Sequence, residues 1–299
     1  MNVHKLPHRP MPNLTVQQLE YLVAAADATT HSEAAAGLGV SASALSQGLA
    51  ELSRRVGLTI FEKDGRSQKV RPQAEPVVEH ARRVLASTAD LGRYIERTRS
   101  GTAGLVRVGM IDAAAVDHFA GALHAIRHDR PDIDLHLTVG PSGGLFAALE
   151  QGHLDIVVGV KPDTSIPSVV WVDLMTEGLR VYAPPGAATV DPAKWGPWVT
   201  FPEGSHSRKL IAASLRRSGA SFDVVAESHQ PEVLREMVKL GLGWTVLPSV
   251  QAERTPGELV PARREPVAHR ELVVAWRDSA VTPEAAVTLR DSLVDFTSS

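Results

Sequence analysis

The run from His31 to Gly57 constrains this chain most: two apolar stripes separated by a glycine-marked turn. Ser32 can N-cap a first helix whose inward residues are Ala34, Ala35 and Leu38. Gly39 follows the last of these, as a helix stop does, and Ser41 can cap a second helix. Leu45, Leu49, Leu52 and Val56 then recur at steps of four, three and four, which is one helical stripe. The small Ala34 and Ala35 let two helices cross closely over a short turn, the helix-turn-helix arrangement. In such a unit the second helix offers its polar N-terminal side to the DNA major groove. Here that side is Ser41, Ala42, Ser43, Ser46 and Gln47. An ordinary helical hairpin has the same spacing, so the pattern alone leaves both readings open.

The flanking segments favour DNA. Thr15 can cap a preceding helix with Leu19, Leu22, Val23 and Ala26 inward. After Gly57, Leu58–Phe61 reads as a short strand, Asp64-Gly65 as a turn and Gln68–Val70 as a returning strand, together a two-stranded wing. Residues 1–72 hold eight Lys/Arg against six Asp/Glu, and the remainder holds 23 against 28. The excess is small, but Lys63, Arg66, Lys69 and Arg71 fall within nine residues that contain one acid. Phosphate contact needs such local clusters rather than global charge.

Residues 73–99 read as one long helix, with Pro76 in its first turn. Val77, Ala81, Val84, Thr88, Leu91, Ile95 and Thr98 alternate steps of four and three, a short heptad seam. That seam suits a dimer-forming coiled coil, and it also suits a helix packed on its own domain. Residues 100–104 read as a flexible linker. From 105 onward strands and helices alternate: strands at 105–110, 133–139, 154–160 and 179–183, then at 198–201, 223–226, 243–247 and 271–277. Helices fall at 115–129, 143–151, 207–217, 231–240 and 283–296. The first three strands imply a parallel, right-handed α/β sheet. The two sets, with a late returning strand, imply a hinged two-lobed domain with a ligand cleft.

Several chemistries are disfavoured. With no cysteine there is no disulfide, thiol nucleophile or Cys-ligated metal site. This fits a cytoplasmic protein. No apolar run reaches membrane-spanning length, and residues 1–13, with three prolines, read as a loose arm rather than a signal peptide. His124 and His128 lie one helical turn apart beside Asp129, but no third zinc ligand accompanies them. Ser205, His206 and Asp223 include hydrolase-triad residue types without a G-x-S-x-G elbow. Gly241-Leu242-Gly243 is not a dinucleotide fingerprint.

The whole chain resembles a LysR-type transcriptional regulator. The likeness rests on Leu19–Val23, Ala34-Ala35, Leu38, Val40-Ser41, Ala44–Ser46, Leu49, Leu52 and Gly57–Lys63, the last close to the family's LGxxLFxR. Glu79–Leu85 is similar to its linker helix, and Val238–Pro248 to its VxxGxGxxxLP. The resemblance implies an α+β multidomain fold: a winged helix-turn-helix over 14–72 and a linker and dimerisation helix over 73–100. A two-lobed α/β effector domain like a type 2 periplasmic-binding protein would follow over 104–299. The expected lobes are about 104–176 with 278–299, and about 177–277. There are departures. Ala42-Ser43 and Gln47 stand where the family has Gln-Pro and Arg, and Val70–Ala74 replaces its LTxAG. Gly48 should cost its helix about 1 kcal/mol against Ala.

The expected function is a ligand-responsive regulator without enzymatic activity or cofactor, bound to double-stranded operator DNA. Base and phosphate contacts are expected from Ser41, Ser43, Ser46, Gln47, Lys63, Arg66 and Lys69. Dimerisation, as a homodimer or homotetramer, is expected through Val77, Ala81, Val84, Leu91 and Ile95. The effector pocket is expected at Ile111, Asp112, Gly159, Thr200, Ser205, Ser228 and Trp244. Helix N-termini favour anions, so a carboxylate effector is expected where Ser205 opens a helix; Ser205 and Ser207 acting only as caps is the alternative. Asp112 would repel an anion, which leaves an amino acid or an amine open. A rival reading makes the chain a small-molecule binding protein whose N-terminal unit serves only dimerisation.

Overall fold

The computed structural model describes residues 13–64, 67–100, 104–166, 168–187, 190–254, 259–278 and 282–298. The chain forms two compact units, one ending at Asp90 and one beginning at Leu91.

In the first unit, α1 (Val16–Asp27), α2 (His31–Leu38) and α3 (Ala42–Val56) form a three-helix core. Each begins with a side-chain cap. Thr15 and Gln18 form a reciprocal capping box, Thr30 Oγ1 accepts from the Glu33 amide, and Ser41 Oγ accepts from the Ala44 amide. The expected cap Ser32 therefore lies inside α2, because Thr30 takes the extended backbone that a cap needs. Gly39 and Gly57 end α2 and α3 at φ 66° and 71°, the left-handed conformation that glycine reaches without strain. Leu22, Leu45, Leu52 and Ile60 are fully buried, each contributing roughly 1.5–3 kcal/mol.

The wing is an antiparallel pair, β1 (Phe61–Asp64) and β2 (Ser67–Val70). Leu58–Ile60, expected in a strand, instead connects α3 to β1. The Leu58 amide turns back to the Ser53 carbonyl, and Ile60 plugs the core. Gln68 ties the wing down: its side chain donates to the Ala25 carbonyl and its amide to that of Thr29. A 3-10 turn (Pro72–Ala74) leads into α4 (Glu75–Ser100), 26 residues long.

The second unit is built on one mixed sheet. Its strands are β3 (Leu105–Met110), β4 (Asp134–Val139), β5 (Ile156–Val160), β6 (Val169–Tyr182), β9 (Thr245–Pro248) and β10 (Ala268–Arg277), in spatial order β4-β3-β5-β10-β6-β9. The first three are parallel, as expected from their connecting helices α5 (Ala120–Asp129) and α6 (Ser142–Glu150). β10 runs antiparallel to both neighbours. A separate parallel pair, β7 (Trp198–Thr200) and β8 (Val224–Glu227), joins the rest through a Trp198–Trp244 bridge. The remaining helices are α7 (His206–Arg217), α8 (Pro231–Lys239), α9 (Ser249–Ala252) and α10 (Glu284–Ser298).

Two apolar cores lie in this unit, and β6 and β10 pass through both. Val169 packs in the first core, and Leu179, Val181 and Tyr182 in the second. On β10, Ala268 belongs to the second core and Leu272–Ala275 to the first. The expected second lobe, about 177–277, therefore takes in four residues of β10 that pack in the first. Gly243 has a packing role: a Cβ there would lie 2.6 Å from the Pro197 carbonyl oxygen. That close approach allows the Trp244 amide to reach the same carbonyl at 2.7 Å.

Candidate functional site: a DNA-reading helix and a ligand cleft

In the first unit, α3 exposes Ser43, Ser46 and Gln47 on its first two turns, while Leu45 and Leu49 face inward. The Ser41 hydroxyl is committed to the cap and to Ser43 Oγ at 3.0 Å, so Ser41 is less free than expected. The side chains of Ser46 and Gln47 hydrogen-bond to nothing among the described residues, and Gln47 keeps both amide functions for a partner. The neighbouring Gly48 has a structural cause. A Cβ there would meet the Tyr21 ring at 2.5 Å, so α1 sits against α3 more closely than alanine permits. Lys69 is exposed on β2. Lys63 pairs with Gln68 through the backbone register of the wing, and Arg66 lies outside the described residues.

α4 has two faces. Near its start, Ala81 is fully buried in the helix-turn-helix core, and Val77 and Val84 pack against that core. Toward its end Leu91, Tyr94 and Ile95 are about half exposed. The expected heptad seam thus divides into a half that packs on its own domain and a half that faces outward.

In the second unit a cleft of about 600 Å³ opens above the carboxyl ends of β3 and β5. Of the expected residues, Ile111, Asp112 and Ser205 line it. The other four do not. Gly159 lies beneath Ser142, with its notional Cβ 3.2 Å from that hydroxyl. Thr200 is buried in the wall. Ser228 closes the turn ahead of α8 by accepting from the Gln230 amide, and its neighbour His229 lines the cleft instead. Trp244 stacks with Trp195 and Trp198 in the second core. Sequence reasoning missed Gln251, Glu232, Arg270 and the α6 N-terminus, all of which line the cleft. Arg270 lies one residue before the strand expected at 271–277, which in the structure begins at Ala268.

Three helices, α6, α7 and α8, begin at this cleft, and none has a side-chain cap. Neither Ser205 nor Ser207 caps α7; the Ser207 hydroxyl instead accepts from Arg270 Nη1 at 3.1 Å. The first-turn amides of α6 and α7 therefore point their partial positive charge at the cleft. Arg270 is buried and held by Glu177, its register partner across β6 and β10, with Nε donating to Oε2 at 2.6 Å. Glu177 also bonds His118 Nε2 at 2.5 Å. Burial alone would push the Glu177 carboxyl up, but the His118 hydrogen bond and the Arg270 charge outweigh it and hold it below the usual carboxylate range.

Asp112 is not the bare charge that sequence suggested. Its Oδ1 accepts from Gln251 Nε2 at 2.9 Å and Arg254 Nη2 at 3.0 Å. Arg254 also grips Asp117 through two bonds and pairs with Glu232. The Asp117 hydrogen bonds, with the other acidic neighbours, raise the Arg254 pKa above its ordinary value. His128 is exposed and, among the described residues, bonds only the adjacent Asp129. No hydrogen bond joins Ser205, His206 and Asp223 among the described residues. Nor does any group of three His, Cys, Asp or Glu there have metal-binding geometry.

A winged helix-turn-helix followed by a two-lobed ligand domain defines a ligand-responsive, DNA-binding transcription factor. Residues 16–75 match the family model for the bacterial regulatory helix-turn-helix protein of the lysR family, and residues 99–298 match the LysR substrate binding domain. The chain belongs to the LysR family of transcriptional regulators. It is 28% identical over 306 residues to a probable hydrogen peroxide-inducible genes activator of Streptomyces viridosporus, covering 96% of each chain. Its fold is similar to a full-length OxyR variant from Pseudomonas aeruginosa (24% identity, TM-score 0.57, 96% and 95% coverage). It is also similar to CbnR complexed with its target DNA (16% identity, TM-score 0.56, 95% and 100% coverage). This chain contains no cysteine, so thiol oxidation is not a signal it can register. Its relatives are regulators rather than enzymes, and no described helix is long and apolar enough to cross a membrane.

Proposed function

We propose that this regulator reads operator bases with Ser43, Ser46 and Gln47, with Lys69, Lys63 and Arg66 on phosphates. In this reading it pairs through the outward half of α4 and answers a cytoplasmic small-molecule effector that carries a carboxylate, as a plain organic acid or an amino acid. The observation that carries the effector reading is the convergence of uncapped helix N-termini and Arg270 on one cleft. Oriented amides in a partly dry cleft bind an anion without reorganising. The DNA reading is supported by the free amide of Gln47, which can pair bidentately with adenine. Dimers are supported by the exposed Leu91, Tyr94 and Ile95 on the last three turns of α4. A dimer places two such helices on a two-fold operator, and the effector acts by binding two arrangements of the assembly unequally.

Gel-shift titration at two salt concentrations, on DNA upstream of the gene and on random DNA, tests the regulator's DNA contacts. Sequence-preferring, salt-sensitive binding that shifts with an added carboxylate is expected; indifference to sequence would remove the base-reading roles. Leu91→Asp is expected to convert dimers to monomers in sedimentation velocity, and an unchanged dimer would exclude the α4 interface.

A further inference from the structure

The cleft is electrically mixed. It is lined by the uncapped first turns of α6 and α7, with the Arg270 charge already matched by Glu177. It is also lined by the carboxylates Asp112 and Glu232, which pair with a guanidinium outside the lining, Arg254, that holds Asp117 as well. That cluster keeps two negative charges uncompensated when all its members are ionised.

The decisive atom is in Gln251. This side chain is 2% exposed and lines the cleft. Its Nε2 is spent on Asp112 Oδ1, and its Oε1 is buried with no donor among the described residues. Buried amide oxygens are rarely left so, because nothing replaces the water they lose. Asp112 Oδ2 is a second open acceptor, since both bonds to Asp112 arrive at Oδ1. Two acceptors without donors thus belong to the same cleft residues as the helix N-terminal amides. A plain carboxylate satisfies the donors and leaves these acceptors idle. An ammonium supplies several N–H donors and a positive charge to the same place.

We infer that the cleft takes an amino-carboxylate, its ammonium on Asp112 Oδ2 and Gln251 Oε1 and its carboxylate at the first turns of α6 and α7 beside Arg270. This rests on the carboxylate reading above and narrows it. Asp112 and Gln251 then determine specificity. They reject simple organic acids, because the acidic cluster repels a second anion and gains nothing from an alkyl group. Arg254 is a positioning residue that fixes the Asp112 carboxylate with Oδ2 turned outward.

Calorimetric titration of the full-length protein with matched pairs tests this. The probes are the common L-amino acids, each set against the carboxylic acid that lacks its α-amino group. At least one amino acid is expected to bind tenfold or more tightly than its des-amino partner. Asp112→Asn should erase that preference while leaving des-amino binding unchanged or stronger. Gln251→Met should reduce it several-fold, and it serves also if Asp112→Asn fails to fold. If des-amino acids bind as tightly as their partners, the inference falls and the carboxylate reading stands. If neither set binds, both fall. An amino-acid preference that survives both substitutions would overturn the assignment to Asp112 and Gln251.

Discussion

The helices of the two units begin in opposite ways. In the helix-turn-helix domain α1, α2 and α3 all start with a Thr or Ser that satisfies first-turn amides. At the ligand cleft α6, α7 and α8 all start without one. The polar side chains differ in the reverse sense. On α3, Ser46 and Gln47 are free, whereas the cleft residues Asp112, Arg270, Ser207 and Glu232 are already bonded to protein partners. The DNA-reading end is thus a finished backbone with unspent side chains. The cleft is nearly the opposite: apart from the acceptors Asp112 Oδ2 and Gln251 Oε1, these side chains are committed, around unspent backbone amides. On the function proposed above, a long charged duplex would be met by side chains that reach into a groove, and a small anion by a fixed nest of N–H groups.

Four comparisons break or sharpen this contrast. Glu177→Gln is expected to have the largest effect. It leaves Arg270 buried without its counter-charge, a loss of about 3–5 kcal/mol by urea denaturation at neutral pH. Because the folded Glu177 carboxyl sits below its ordinary range, its contribution is present above the unfolded pKa and lost as pH falls through the folded one. The gap between wild type and variant should therefore close in acid, and a gap independent of pH would deny the pairing. Gly48→Ala comes next. Helix propensity favours alanine by about 1 kcal/mol, but the Cβ runs into Tyr21. A net loss of about 1–3 kcal/mol is expected, reversing to a gain in a Tyr21→Leu background; a gain in both backgrounds would show no close α1–α3 approach. Gln47→Ala should leave stability unchanged while cutting operator discrimination by about 1–3 kcal/mol in competition gel shifts. Equal losses on operator and random DNA would contradict base reading. Smallest is the paired comparison of caps. Thr30→Ala should cost about 1 kcal/mol and Ser205→Ala less than about 0.5 kcal/mol; equal costs would mean that Ser205 caps after all.

What could be read from sequence follows the same division. The stripe Leu45, Leu49, Leu52 and the glycines at 39 and 57 announce α2 and α3, because helix period and left-handed caps are local properties. Ser32 misled because Thr30 offers equal cap chemistry two residues earlier, and only the backbone entering α2 decides between them. The first half of β6 went unseen: Asp173, Thr176, Glu177 and Gly178 interrupt any alternation. They are tolerated because β10 supplies Arg270 to Glu177 from 93 residues away. The same distance hid the cleft. Asp112 meets Gln251 and Arg254 across roughly 140 positions, so its charge looked bare in one dimension and is shared with a guanidinium in three. Ile111 and Ser205 were legible because a strand's carboxyl end and a helix start are where ligands gather.

The path of β6 and β10 bears on how the chain is made. β10 fills the slot between β5 and β6, and Leu272–Ala275, with α10 after them, complete a core whose other strand residues lie before residue 176. The second core lies almost wholly between Leu179 and Ala268, so it is an insertion into the first. A ribosome releasing the chain from the N-terminus therefore delivers the inserted lobe before the first lobe can close. Until Arg277 has emerged, the first lobe has two facing strand edges and no strand to join them. Truncation before residue 268 is then expected to disable the lobe nearer the N-terminus more than the one nearer the cut.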